Sequence, residues 1–128
     1  MALGGEIKSH KDLIVWQKAL ALAASVYRLV KEMPRVEEYR LTSQMVRAAA
    51  SVPANIAEGH ARGTRKDYAN FVNIARGSLA ELETFLLLVI EIGLIKSETV
   101  RTVLSDCDEV GRMLTVLSSR LRDVPPKT

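Results

Sequence analysis

Glu58, His60 and Arg62 stand at alternate positions in "AEGHARGTRKDY", and together they suggest proton transfer beside an anion. A carboxylate and an imidazole would move the proton, and the guanidinium would hold the charge. Residues two apart on a helix point in different directions, although Gly59 could redirect His60. No activated nucleophile and no metal-ligand set accompanies the pair. His10 is isolated, and Cys107 falls on the expected core seam of its helix. Catalysis therefore ranks last, and neither a metal nor a cofactor is expected. The same segment offers a different chemistry: Arg62, Arg65 and Lys66 beside Tyr68 suit phosphate contact with base stacking. Arg40, Arg47 and Arg76 complete the candidate nucleic-acid contacts. The competing reading gives the charges to an ordinary solvated turn and Tyr68 to a core stripe. Arginines at a helix start oppose the helix dipole, so helix stability does not account for them.

The charge distribution favours an anionic partner for the middle of the chain. Net charge is +3 over 128 residues, and residues 34–76 carry seven cations against four acids. The flanks cancel each other. One cysteine excludes an internal disulfide, and "MALGGEIKSHKDL" does not read as a secretory leader, so a cytoplasmic location fits best. The longest apolar run, "FLLLVI" from Phe85 to Ile90, is far shorter than the ~20 residues a membrane span needs.

Periodicity predicts four helices to carry these groups. The first covers Asp12 to Met33, with an apolar stripe of Leu13, Trp16, Leu20, Ala23, Tyr27 and Val30, and closes at Pro34. The second covers about Glu38 to His60 on Leu41, Met45, Ala48, Ala49, Val52 and Ile56. The third, Arg65 to Ile92, opens on a Thr64/Asp67 capping pattern and carries Tyr68, Val72, Ala75, Leu79, Leu82, Leu86 and Val89. The fourth, Ser97 to Arg122, has Ser97 as its expected N-cap and Val100, Val103, Cys107, Val110, Leu114, Leu117 and Leu121 on one seam. Short links force antiparallel neighbours, giving an all-α, up-down-up-down four-helix bundle. One domain spans 1–128, with its core at about 11–122 and frayed ends that include "DVPPKT".

Helix two combines a polar stripe (Arg40, Gln44, Arg47, Ser51, Asn55, Glu58) with an internal proline. Pro53 cannot donate to the Ala49 carbonyl, which predicts a kink there or a local restart with Pro53 in the first turn, with Ser51 and Asn55 placed to serve the backbone groups left unpaired. Helix three carries a second apolar stripe of Phe71, Ile74, Phe85, Leu88 and Ile92. Such a surface on a soluble chain is usually covered by another subunit, so homo-oligomerisation is expected through it.

Three blocks, "DLIVWQKALALAASVY" with the following "MP", "LTSQMVRAAASVPANIAEG" and "NIARGSLAELET", resemble the bacterial 23S ribosomal RNA intervening-sequence protein family, also called the S23 family. The resemblance runs from Lys11 to Leu121. It implies a four-helix bundle assembling as a ring-like homopentamer without established enzymatic activity. Members were first recognised as reading frames within intervening sequences of 23S ribosomal RNA genes, and a related branch, the accessory variability proteins of diversity-generating retroelements, binds nucleic acid through a basic surface. By motif position Arg47, Pro53, Asn55, Glu58, Gly59, Gly77 and Ser78 match the family signature. Gly77, at ~1 kcal/mol against alanine, is expected to permit close helix packing. The expected role is an RNA- or nucleic-acid-associated accessory oligomer. The alternative is a protein-binding oligomeric scaffold.

Overall fold

The computed structural model describes residues 6–122; the expected frayed tail at 123–128 lies outside them. Within that range the chain forms α1 (Ile14–Leu29), α2 (Ser43–Ala61), α3 (Arg65–Ile92) and α4 (Ser97–Arg122). α1 packs on α2 and α4, α2 on α3, and α3 on α4, giving the predicted antiparallel four-helix bundle. Among the described residues no helix is long and apolar enough to cross a membrane.

Local chemistry sets the ends of these rods. Before α1, a 3₁₀ turn at His10–Asp12 is capped by Ser9, whose hydroxyl accepts from the Lys11 amide while the Asp12 carboxylate accepts from the Lys8 and Ser9 amides. Those two backbone donors hold the Asp12 carboxyl below its ordinary pKa. Thr64 caps α3 by accepting from the Asp67 amide at 3.1 Å, as the pattern predicts. Gly93, at φ 82°, ends α3 in the left-handed conformation that glycine adopts without a Cβ penalty. Ser97 departs from expectation: it is the first helical residue of α4, and its hydroxyl donates to Glu98 instead of capping.

The core stripes of α2, α3 and α4 are buried largely as periodicity predicts. Met45, Val52 and Ile56 meet Val72, Leu82 and Leu86, then Val100, Cys107 and Leu114, all fully shielded from solvent. The expected stripe of α1 is wrong. Val15, Ala19, Leu22, Ala23, Val26 and Leu29 face the core. Of the predicted set only Ala23 is buried; Leu13, Trp16 and Val30 are half-buried, while Leu20 and Tyr27 are 48% and 52% exposed. α1 is apolar around most of its circumference, and compact side chains on the inner face let it approach α2 and α4 more closely than Trp16 and Tyr27 would.

Helix two also has a break ahead of its proline. α2 is continuous from Ser43 to Ala61 through a buried Pro53, and the non-helical dihedrals occur at Arg40 (φ −111°, ψ −107°), where a wide turn at Glu38–Thr42 leads into the helix. Asn55 does not serve the Ala49 carbonyl. Its amide donates to the Ser51 carbonyl and to Ser51 Oγ, both at 2.8 Å, and Ser51 Oγ lies 2.8 Å from Ser78 Oγ on α3. The polar residues around the proline thus tie α2 to α3.

Cys107 sits on the inner seam of α4. Burial, reinforced by Glu83 and Asp106, pushes its thiol up to about 12. Because the folded value lies above the unfolded one, this thiol's contribution to stability is complete below pH ~8.5 and is lost as pH rises and the unfolded chain ionises. Urea midpoints should fall more between pH 8 and pH 10.5 for the native chain than for Cys107→Ala. Parallel curves would show that the cysteine carries no pH-linked stability.

Candidate nucleic-acid interface

Antiparallel packing collects the α1 start, the α2–α3 turn and the α4 end at one pole of the bundle. Arg62, Arg65 and Lys66 all lie there and all are exposed. Arg62 bridges two groups: its Nε is 3.2 Å from the Glu58 carboxylate, and its guanidinium lies 4.9 Å from the Phe71 ring centroid. His60 packs edge-on against Tyr68 at 5.6 Å, and His10 against Trp16 at 5.0 Å. Burial raises the pKa of the half-buried Tyr68, so its hydroxyl remains a hydrogen-bond donor at neutral pH. Glu58 and His60 therefore have separate partners, and the suggested acid/base pair is not assembled.

Arg65 has a structural role that its sequence position conceals. Its Nε and NH2 donate to the carbonyls of Leu121 (3.1 Å) and Arg120 (2.7 Å), the last turn of α4. A guanidinium at the start of α3 opposes that helix's dipole, but the same charge complements the C-terminus of α4. The expectation that helix stability does not explain this arginine is corrected accordingly.

Arg40, Arg47 and Arg76 do not join this pole. Arg40 lies just before α2, with the ~28 Å length of that helix between it and Arg62, and stands 3.9 Å from Glu37. Arg47, about 22 Å from Arg62 along α2, donates to the Gln44 side chain. Arg76 lies in a groove of about 550 Å³ between α3 and α4, with NH1 3.5 Å from both Asn73 Oδ1 and Ser118 Oγ. Glu83 shares that groove, its pKa raised by burial and then by Asp108. Lys8, Lys11, Arg120 and Arg122 replace the three absent arginines at the pole. Reading charge along the chain misses them, whereas following the up-down topology finds them.

Counted by position in space, residues 6–14, 58–68 and 119–122 hold seven Lys or Arg against four Asp or Glu. The other described residues hold equal numbers of each, so the net charge of +3 that the described residues carry belongs entirely to this pole. Cations concentrated near aromatic side chains can hold phosphate and stack on a base or sugar.

The sequence profile of the family described as 23S rRNA-intervening sequence protein matches residues 11–116. The chain belongs to the 23S rRNA-intervening sequence protein family. A solved structure, that of a protein of unknown function from the S23 ribosomal protein family of Bacteroides thetaiotaomicron, resembles it with a TM-score of 0.77 at 28% identity. The match covers 86% of this chain and 100% of that one. No curated protein matches significantly.

The positions matching the family signature have distinct structural tasks. Ser78 and Asn55 build the α2–α3 link, and Glu58 pairs with Arg62. At Gly59 a Cβ would stand 2.7 Å from Phe71 Cβ and 3.2 Å from the Tyr68 carbonyl oxygen, so only glycine allows this approach of α2 and α3. Gly77 was expected to permit a similar approach, yet nothing among the described residues lies within 4 Å of where its Cβ would be. The expected oligomer surface on α3 is partly covered: Phe71 and Phe85 are half-buried, whereas Ile74, Leu88 and Ile92 are 50%, 41% and 57% exposed.

Proposed function

We propose that this chain is a non-catalytic accessory protein that self-associates, as a pentamer, and presents its basic poles to structured RNA or another nucleic acid. The observation that carries this reading is the location of the net charge at the pole that Arg62, Lys66, Arg120 and Arg122 share with Tyr68 and His60. Backbone phosphates supply sequence-independent affinity to such a surface, and five copies bring five such surfaces to one ligand. Arg65 contributes charge while holding the end of α4.

The test is binding to ribosomal RNA at two salt concentrations. If about four phosphates are contacted per engaged subunit, affinity should fall by ~50- to 150-fold between 50 and 200 mM salt. Lys66→Ala with Arg122→Ala should weaken binding across unrelated RNA sequences and flatten the salt dependence. Arg40→Ala with Arg47→Ala should leave both unchanged. Binding that is absent at low salt, or indifferent to salt, rejects the reading. A groove of about 800 Å³ between α1 and α2, predominantly apolar, favours the protein-scaffold alternative. Partners that survive nuclease treatment would support that alternative.

A further inference from the structure

The α1/α2 groove is the outward apolar face that periodicity mistook for the core side of α1. Its walls are Trp16, Leu20 and Tyr27 from α1, and its floor is Ala50, Ala54 and Ala57 from α2. Arg28 and Lys31 line it toward the C-terminus of α1, and no carboxylate does. Across α2 lies the exposed face of α3, where Ile74, Leu88 and Ile92 are accompanied by Glu81 and Glu91. One face is apolar and basic; the other is apolar and acidic. They are also similar in length, since residues 16–31 and 74–92 span ~22 and ~27 Å.

We propose that the α1/α2 groove of one copy receives the Ile74–Ile92 face of α3 from a second copy, with Glu91 directed toward Arg28 and Lys31. The proposal rests on the self-association proposed above and assigns its two surfaces. Pairing groove with groove would set cations against cations and leave the α3 face bare. A heterologous contact uses both faces of every copy, and because they flank α2 on neighbouring sides of the bundle, successive copies turn toward a closed ring. Gly77 fits the same contact. It leaves the Ile74 end of the α3 face without a side chain, and no group among the described residues lies within 4 Å of that space.

Complementary variants test the pairing. Leu20→Asp spoils only the groove and Leu88→Asp only the α3 face, both at positions already open to solvent. Sedimentation should show each variant alone associating at least tenfold more weakly than the native chain, and an equimolar mixture forming a 1:1 heterodimer through the one intact pair of faces. A mixture that stays monomeric overturns the pairing, as does Leu88→Asp assembling like the native chain. A native chain that is itself monomeric overturns self-association as well, which separates the two failures. Should either aspartate unfold the bundle, Lys31→Glu and Glu91→Lys provide a second test. Each alone should weaken assembly, and the chain carrying both should recover it; no recovery overturns the proposed orientation.

Discussion

Leu86→Ala should lower the unfolding free energy by about 2–5 kcal/mol. Leu86 is fully shielded on the inner stripe of α3, in one core cluster with residues of all four helices. Truncation removes the transfer free energy of the lost carbons, and the rigid neighbours leave a cavity that they cannot fill. The next residue is a control of identical chemistry. Leu87 is 54% exposed, and Leu87→Ala should change stability by no more than about 0.5 kcal/mol. Urea denaturation followed by circular dichroism distinguishes them: the Leu86 variant should lose midpoint at unchanged slope. Equal midpoints for the two variants would refute the assigned rotation of α3.

The second large effect is a reversal of sign between two glycines. In a helix, Gly→Ala ordinarily adds up to ~1 kcal/mol through propensity. Gly77→Ala should follow that rule in the dissociated chain, because its new methyl meets nothing within 4 Å. Gly59→Ala should do the opposite. Its methyl would stand 2.7 Å from Phe71 Cβ, an atom fixed to the α3 backbone, so α2 and α3 must move apart. Overpacking of this kind costs ~1–3 kcal/mol, enough to outweigh the propensity gain. Separation of the helices would also stretch the Ser51–Ser78 contact and shift Phe71 beneath Arg62. Thermal midpoints of the two variants at dilute concentration should move in opposite directions. A stabilised Gly59→Ala would mean that the helices are not in close contact there.

Much of the candidate site was legible as residue type but not as location. The turn cluster Arg62, Arg65 and Lys66 occupies one pole because a helix break places it there. Arg40 and Arg47 were grouped with it on linear charge alone, although α2 extends them along its own axis and away from the pole. Arg65 shows a different limit: its position at the start of α3 is evident in sequence, but its partners are the carbonyls of Leu121 and Arg120, more than fifty residues later.

The sequence by itself determined four helices, their antiparallel order and the inner faces of α2, α3 and α4: a single three-four apolar rhythm admits one rotation of α2 and of α4, and on α3 the longer of two apolar stripes is the buried one. It also determined the breakers, since Thr64 and Gly93 act through local hydrogen bonds and local dihedrals. Only tertiary structure decided the rotation of α1. Its two apolar faces satisfy periodicity equally well, and close packing selected the compact one, leaving Leu20 and Tyr27 outside. Tertiary structure likewise collected the charge, because helix ends distant in sequence become neighbours only when the rods lie side by side.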